Sequence, residues 1–295
     1  MNSAPPDGSL PDATVSVDLA YHAPFAWPRL LAFLGGRAID GAEAIEEDCY
    51  RRTLRVSTDG AVTSGWLEVR NGEHALRVTL AATLASALPQ VTARLRHVFD
   101  LDVDPRAVAA ALGPLAADEP GLRLPGAFDP FELAVRAVLG QQITVRAART
   151  LAARFARAFG SPIDTPFANL NLLFPDAATV AGQSVDAIAS LGIIGARTRT
   201  ILALAEALAG RHLVLAPGQD APTAIAALKA LPGIGEWTAQ YIAMRALGAA
   251  DAFPHTDYGV MKALDEKNPR RVLALAEPWR PFRAYAVMHL WRSLG

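Results

Sequence analysis

At 295 residues the chain can bury about two domain cores, and with 52% apolar and 19% charged residues it has no uninterrupted apolar run near the roughly 20 residues of a membrane-spanning helix. A formal charge of −1 excludes a protein that coats nucleic acid over its whole surface. The charge is uneven: Leu228 to Gly295 carries 9 Lys and Arg against 6 Asp and Glu, a net +3, while the residues before it sum to −4, so the C-terminal end is expected to be the basic one.

Residues 1–12 are rich in Pro, Gly, Ser and Asp without periodicity and read as a tail; they lack the basic-then-apolar pattern of a secretory signal, so a cytosolic location is expected. From Thr14 to about Leu80 apolar residues recur every second position, in Val15, Val17 and Leu19, in Leu54 and Val56, and in Leu67 and Val69, which predicts strands. Asn71-Gly72 before Leu76, Val78 and Leu80 predicts a hairpin, and Pro28 opens a short helix carrying Leu30, Leu31, Phe33 and Leu34. Cys49, the only cysteine, rules out an intramolecular disulfide or an iron–sulfur cluster and is expected to be buried and inert.

After Ala85 the period becomes helical, with Val91, Leu95 and Val98 on one face and a new start at Asp104-Pro105. No further strand is expected. A Pro- and Gly-containing crossing at 118–130 leads to Asp129-Pro130-Phe131-Glu132, which combines a cap, an N1 proline and a capping-box acid. Helices are expected at about 144–159, 184–190, 195–209 and 222–231. The expected fold is α+β: a small N-terminal antiparallel β-sheet domain with helices at 13–117, then a larger all-α domain at 118–295.

Three groups of residues carry chemistry. In Leu231-Pro232-Gly233-Ile234-Gly235-Glu236-Trp237-Thr238-Ala239 one helix ends and another begins around two glycines, so close backbone approach and free helix-start N–H groups suit a phosphate. A bare Gly-x-Gly also serves simply to connect packed helices. Asp257 opens a helix whose apolar face is Val260, Met261 and Leu264; alone it reads as an N-cap, yet it follows the hairpin by 22 residues and so can face the same nucleotide. Trp237, Tyr241, Tyr285 and Trp291 lie on the helix after the hairpin and on the last helix, where they serve either as core or as faces for stacking a cationic base. His255 and His289 lack metal-ligand spacing and read as structural.

Taken together, these segments resemble the helix-hairpin-helix (HhH-GPD) superfamily of DNA glycosylases, and within it the bacterial DNA-3-methyladenine glycosylase II branch. The resemblance extends over Phe25 to Ala38, Gly121 to Gly126, Phe131 to Gln141, the hairpin, Asp257-Tyr258, and Trp279 to Trp291. It implies excision of alkylated purines from double-stranded DNA by a monomer, with Asp257 as the catalytic carboxylate. Trp237, Tyr241, Trp291, Phe33 and Tyr285 would form the base pocket. Gly233, Ile234, Gly235, Thr238, Gln141, Gln142 and Ile143 would contact DNA. A monovalent cation on the carbonyls of Lys229, Leu231 and Ile234 would bridge to phosphate, and no other cofactor, obligate protein partner or membrane is implied.

Gln142 stands where the best-known member has a leucine wedge, so the amide or Ile143 fills that role; Arg292 stands where it has a tyrosine, which bears on the choice of base. Trp237 occupies the position of the nucleophilic lysine of the lyase members, which implies hydrolysis without strand nicking. A non-catalytic DNA-binding hairpin module and a glycosylase for oxidised or mismatched bases are the alternative readings.

Overall fold

The computed structural model describes residues 13–58 and 60–294, so the tail expected at 1–12 lies outside the described residues. Five strands, β1 (Thr14–Ala20), β2 (Glu43–Glu46), β3 (Cys49–Thr58), β4 (Ala61–Asn71) and β5 (Ala75–Ala81), form an antiparallel sheet in the order β1-β5-β4-β3-β2. Alternation sets which face is buried: Leu76, Val78 and Leu80 of β5 are fully buried while their neighbours are not. The hairpin at Asn71-Gly72 forms, but Asn71 is still a strand residue paired with Leu76, and Gly72 closes a three-residue loop by donating to the Ala75 carbonyl at 2.9 Å.

Helix α1 (Trp27–Gly35) carries Pro28 in its first turn, one residue after its start, and α2 (Leu88–Val98) and α3 (Pro105–Leu112) follow the sheet. The remaining helices are α4 (Pro130–Leu139), α5 (Val145–Phe159), α6 (Ala177–Ala181), α7 (Val185–Ala189), α8 (Gly195–Ala209), α9 (Ala221–Lys229), α10 (Glu236–Ala246), α11 (Tyr258–Ala263), α12 (Pro269–Ala276) and α13 (Arg283–Arg292). Contrary to expectation one more β-element exists: β6 (Ser161–Pro162) pairs with β7 (Leu172–Leu173), and Gly41 bridges to Leu170 beside it. Apolar side chains segregate into a cluster under the sheet with α1 and α2 and a larger one among the helices, which also takes in Val108 and Leu112 of α3.

Helix α4 is the axis of the larger cluster and is buried on nearly every side, as a central helix must be. Its Asp129 cap holds the N–H groups of Phe131 at 2.8 Å and Glu132 at 3.3 Å. Glu132 is not a capping-box acid. Its carboxylate turns inward to Arg52 of β3 at 2.9 Å and Arg136 at 2.8 Å, and Glu43 joins at 2.9 Å from Arg136. This buried cluster ties the sheet to the helical array, helped by the Thr53 hydroxyl donating to the Leu172 carbonyl at 2.6 Å and by Arg55 and Asp176 at 3.1 Å. Cys49 is buried as expected, and burial pushes its thiol up, away from reactivity.

A second tie joins Asp100, after α2, to α13: the Tyr285 hydroxyl donates to its carboxyl at 2.9 Å. Burial raises the Asp100 carboxyl to about 7, above the unfolded value of about 4. The folded state therefore holds this proton more tightly, and the associated stability is complete below pH 4 and lost as pH rises to 7. Asp100→Asn should remove that loss, so its stability relative to the parent should improve by about 1–3 kcal/mol between pH 4 and pH 8. Denaturant melts at the two pH values check this; equal differences at both would contradict it.

Candidate active site

Asp257 caps α11, its Oδ1 accepting from the Val260 N–H at 2.9 Å. That is the ordinary cap geometry, but two indoles converge on the same carboxylate. Trp237 Nε1 donates to Oδ2 at 2.8 Å from the first turn of α10, and Trp291 Nε1 donates to Oδ1 at 2.8 Å from the end of α13. Three N–H donors thus fix one carboxylate against the wall of a cavity of 370 Å³ lined by Trp237, Tyr241, Trp291, Asp257, Tyr258 and Arg37, among others. Trp237 and Tyr241 stack at 5.3 Å between centroids and 13° between planes, making one continuous aromatic face.

Phe33 is not among the lining residues; it stacks on Trp291 at 6.2 Å and supports that ring. Tyr285 does not reach the cavity at all. Six residues along α13 from Trp291 is about one and two-thirds turns, which turns its ring toward Phe282 and its hydroxyl to Asp100. Arg292 also points away, with Asp118 at 3.7 Å and Glu119 at 3.6 Å, so the expected influence on the base has no contact behind it. His289 is buried with Nδ1 unpaired among the described residues, and burial lowers it to about 4, consistent with a neutral core histidine.

No arginine was expected to line the cavity. Arg37, Arg136 and Arg149 line the cavity, and all three come from the part of the chain with negative net charge. Arg245 lies behind Tyr241, buried and donating to the Tyr241 oxygen at 3.0 Å and the Gly126 carbonyl at 3.2 Å; burial lowers it to about 10. Burial alone would push the Tyr241 phenol up, but Arg245, Arg37 and Arg136 together hold it below its ordinary value. No local pattern marks these arginines, because they meet only after the sheet docks on α4.

The hairpin joins α9 to α10 beside this cavity. Gly233 has φ +80°, and a Cβ there would stand 2.0 Å from Thr200 Oγ1 of α8, so glycine is required twice over. Gly235 caps α10 without a side-chain partner, and a Cβ there would meet nothing within 4 Å. The side chains of Ile234 and Thr238 are buried, leaving only backbone at those positions for a partner. The Thr238 hydroxyl and the Gly233 carbonyl accept from the Gln141 amide at 2.9 and 3.0 Å, which locks the Gly140–Ile143 turn to the hairpin. Gln142 is exposed at the tip of that turn with φ +55°, whereas Ile143 lines the cavity.

These two glycines give separable predictions. Gly233→Ala should cost about 2–3 kcal/mol of stability through strain and the clash with Thr200. Gly235→Ala should change stability by less than about 0.5 kcal/mol yet weaken duplex DNA binding about tenfold, because only an approaching phosphate meets the added methyl. Thermal melts and a binding titration decide; a Gly235→Ala protein with parental affinity would show that no phosphate comes there.

Residues 16–129 match the family described as AlkA N-terminal domain, and residues 135–269 match HhH-GPD superfamily base excision DNA repair protein. A curated relative, "DNA-3-methyladenine glycosylase 2" of Escherichia coli strain K12, is 35% identical over 94% of this chain and 97% of its own length. The chain belongs to the HhH-GPD superfamily. It is also 39% identical, over 95% of its length, to the "Probable bifunctional transcriptional activator/DNA repair enzyme AlkA" of Mycobacterium tuberculosis, of which it spans 57%. Among solved structures, the "3-methyladenine dna-glycosylase from Archaeoglobus fulgidus" superposes with a TM-score of 0.73 at 19% identity, over 94% of this chain and 97% of that one. "MBOgg1 in complex with low affinity DNA ligand" gives 0.74 at 18% identity, over 97% and 99%. At such identities these two show a shared fold. Among the described residues no helix is long and apolar enough to cross a membrane.

Proposed function

We propose that this HhH-GPD chain is a monofunctional DNA glycosylase of the cytosol that everts alkylated purines of the 3-methyladenine and 7-methylguanine type from duplex DNA and hydrolyses the N-glycosidic bond. The observation that carries this reading is the Asp257 carboxylate, fixed by two indoles on the wall of an aromatic cavity next to a helix-start hairpin. The name of the E. coli relative supports the choice of alkylated purines.

A base in a duplex must leave the stack to be reached, which costs a few kcal/mol of unstacking. Gly233 to Gly235 would grip the strand, and of the two wedge candidates Gln142, exposed at the turn tip while Ile143 lines the cavity, would enter the gap. The Trp237–Tyr241 face and Trp291 would hold the everted base by stacking, with cation–π attraction when it is positively charged. As the bond to C1′ lengthens, Asp257 stabilises the oxocarbenium character of the sugar and accepts a proton from the water that adds.

Among the described residues the lining holds no lysine, which supports the reading of hydrolysis without a Schiff base. The carbonyls of Lys229 and Ile234 accept no hydrogen bond among the described residues and that of Leu231 accepts one at 3.3 Å, so these three fit a monovalent cation that would bridge the hairpin to phosphate. Incubation with methylated duplex DNA, followed by identification of the released bases and an attempted borohydride trap, tests the reading. Free methylpurines and no covalent adduct are expected; no released base, or an adduct, would refute it.

A further inference from the structure

Of the cavity-lining arginines, two are neutralised: Arg136 by Glu43 and Glu132 at 2.9 and 2.8 Å, and Arg149 by Asp40 at 2.8 Å. Arg37 has no carboxylate within ion-pair distance among the described residues. Its Nη1 donates to the Phe33 carbonyl at 3.2 Å, its Cζ lies over the Phe33 ring 3.7 Å from the centroid, and the Tyr241 oxygen lies beside it. Arginine has five N–H donors, so most of this fork is unclaimed. Burial lowers Arg37 from its ordinary value, the cost of keeping an unneutralised charge in a cavity wall.

Its position decides what it can touch. Arg37 lines both the aromatic cavity and a 40 Å³ cavity behind it, so it stands at the inner end, whereas Asp257 adjoins Tyr258, which is 79% exposed and marks the mouth. With C1′ at Asp257, an everted nucleotide would bring the far edge of its base, rather than its phosphate, toward Arg37.

We propose that Arg37 is a specificity-determining residue that donates to an acceptor on the everted base and stabilises the negative charge on a neutral base as it leaves. For such a base the C1′–N9 bond breaks with its electron pair on the purine, which delocalises it onto the acceptor facing Arg37. Water adds its oxygen to C1′ and gives a proton to Asp257, and the purine anion then takes a proton from solvent. A base that already carries positive charge is repelled by Arg37 while bound and leaves neutral, so relative to free enzyme and DNA its departure gains nothing from that guanidinium. The N-terminal domain thereby widens the substrate range toward neutral lesions with a carbonyl edge, an inference that rests on the glycosylase reading above.

The test is single-turnover excision with enzyme below saturation, read as the second-order rate constant, from two duplexes, one with 7-methylguanine and one with hypoxanthine, by the parent, Arg37→Gln and Arg37→Lys. Arg37→Gln should lose about 100-fold on hypoxanthine while its rate on 7-methylguanine stays within about threefold or rises. Arg37→Lys keeps the charge and should lose less than about tenfold on hypoxanthine, which preserves the comparison if the glutamine variant misfolds. Parallel losses on both bases, an unaltered hypoxanthine rate in Arg37→Gln, or a parent that releases 7-methylguanine but never hypoxanthine would overturn the proposal. A parent that releases neither base refutes the glycosylase reading itself.

Discussion

Asp257→Asn should reduce base excision at least about 10³-fold while leaving the fold and the affinity for DNA nearly intact. Asparagine is as good an N-cap as aspartate, so the bond from the Val260 N–H survives through the remaining oxygen, as does that from Trp291. The new amide then faces the Trp237 N–H donor to donor, which costs about 1 kcal/mol of stability. What disappears is the full negative charge beside C1′ and the proton acceptor for water, and neither can be supplied by the neutral aromatic wall. Single-turnover release of a methylated base, measured beside binding to a duplex with an abasic-site analogue, separates the two effects. Retention of more than about a tenth of the parental rate would remove the carboxylate from the chemistry. Asp257→Ala is the poorer test, because it also deletes the cap of a six-residue helix.

Sequence periodicity was sufficient where elements are long and locally determined. Alternation marked four of the five strands, missing the four-residue β2, and Asp104, Asp129 and Thr144 sit as N-caps of α3, α4 and α5 with their side chains on the first-turn N–H groups. It failed where two residues make a strand: Ser161–Pro162 and Leu172–Leu173 are too short for a period and exist because the segment docks against the sheet around Gly41. Helix α6, five residues behind the Asp176 cap, escaped notice for the same reason. At the site, the hairpin glycines and the acid that follows them are legible because backbone demands dictate residue type. The indoles' bonds to Asp257 are not, since they depend on where α13 ends relative to α10. Tyr285 illustrates the converse error: an aromatic on the right helix is read as a pocket residue although helical rotation turns it to another neighbour. Arg37 carries no local signature whatever, because its meaning lies in the carboxylates it lacks.

Glu132→Ala should lower stability by about 3–5 kcal/mol, a large part of the 5–15 kcal/mol that holds a folded domain together, although the residue does not itself line the reacting cavity. The side chain is buried between Arg52 at 2.9 Å and Arg136 at 2.8 Å, and both guanidiniums are held charged by the cluster, their pKa values raised against the effect of burial. Burial, with Glu43 close by, pushes Glu132 up, while Arg136 and Arg52 overcome the same burial at Glu43 and hold it down. Two cations therefore share two carboxyl groups of unequal acidity, and deleting one leaves a surplus positive charge in the interior. Melting temperature should fall by about 10 °C, at 2–4 °C per kcal/mol for a protein of this size. Glu132→Gln, which keeps the shape and one acceptor, should fall less. A loss of excision should accompany the loss of stability, because Arg136 also donates to the Arg37 carbonyl and so sets the main chain from which Arg37 reaches into the cavity. An alanine variant melting within about 2 °C of the parent would mean that the cluster is repaired by water and that the sheet is held to α4 by apolar packing alone.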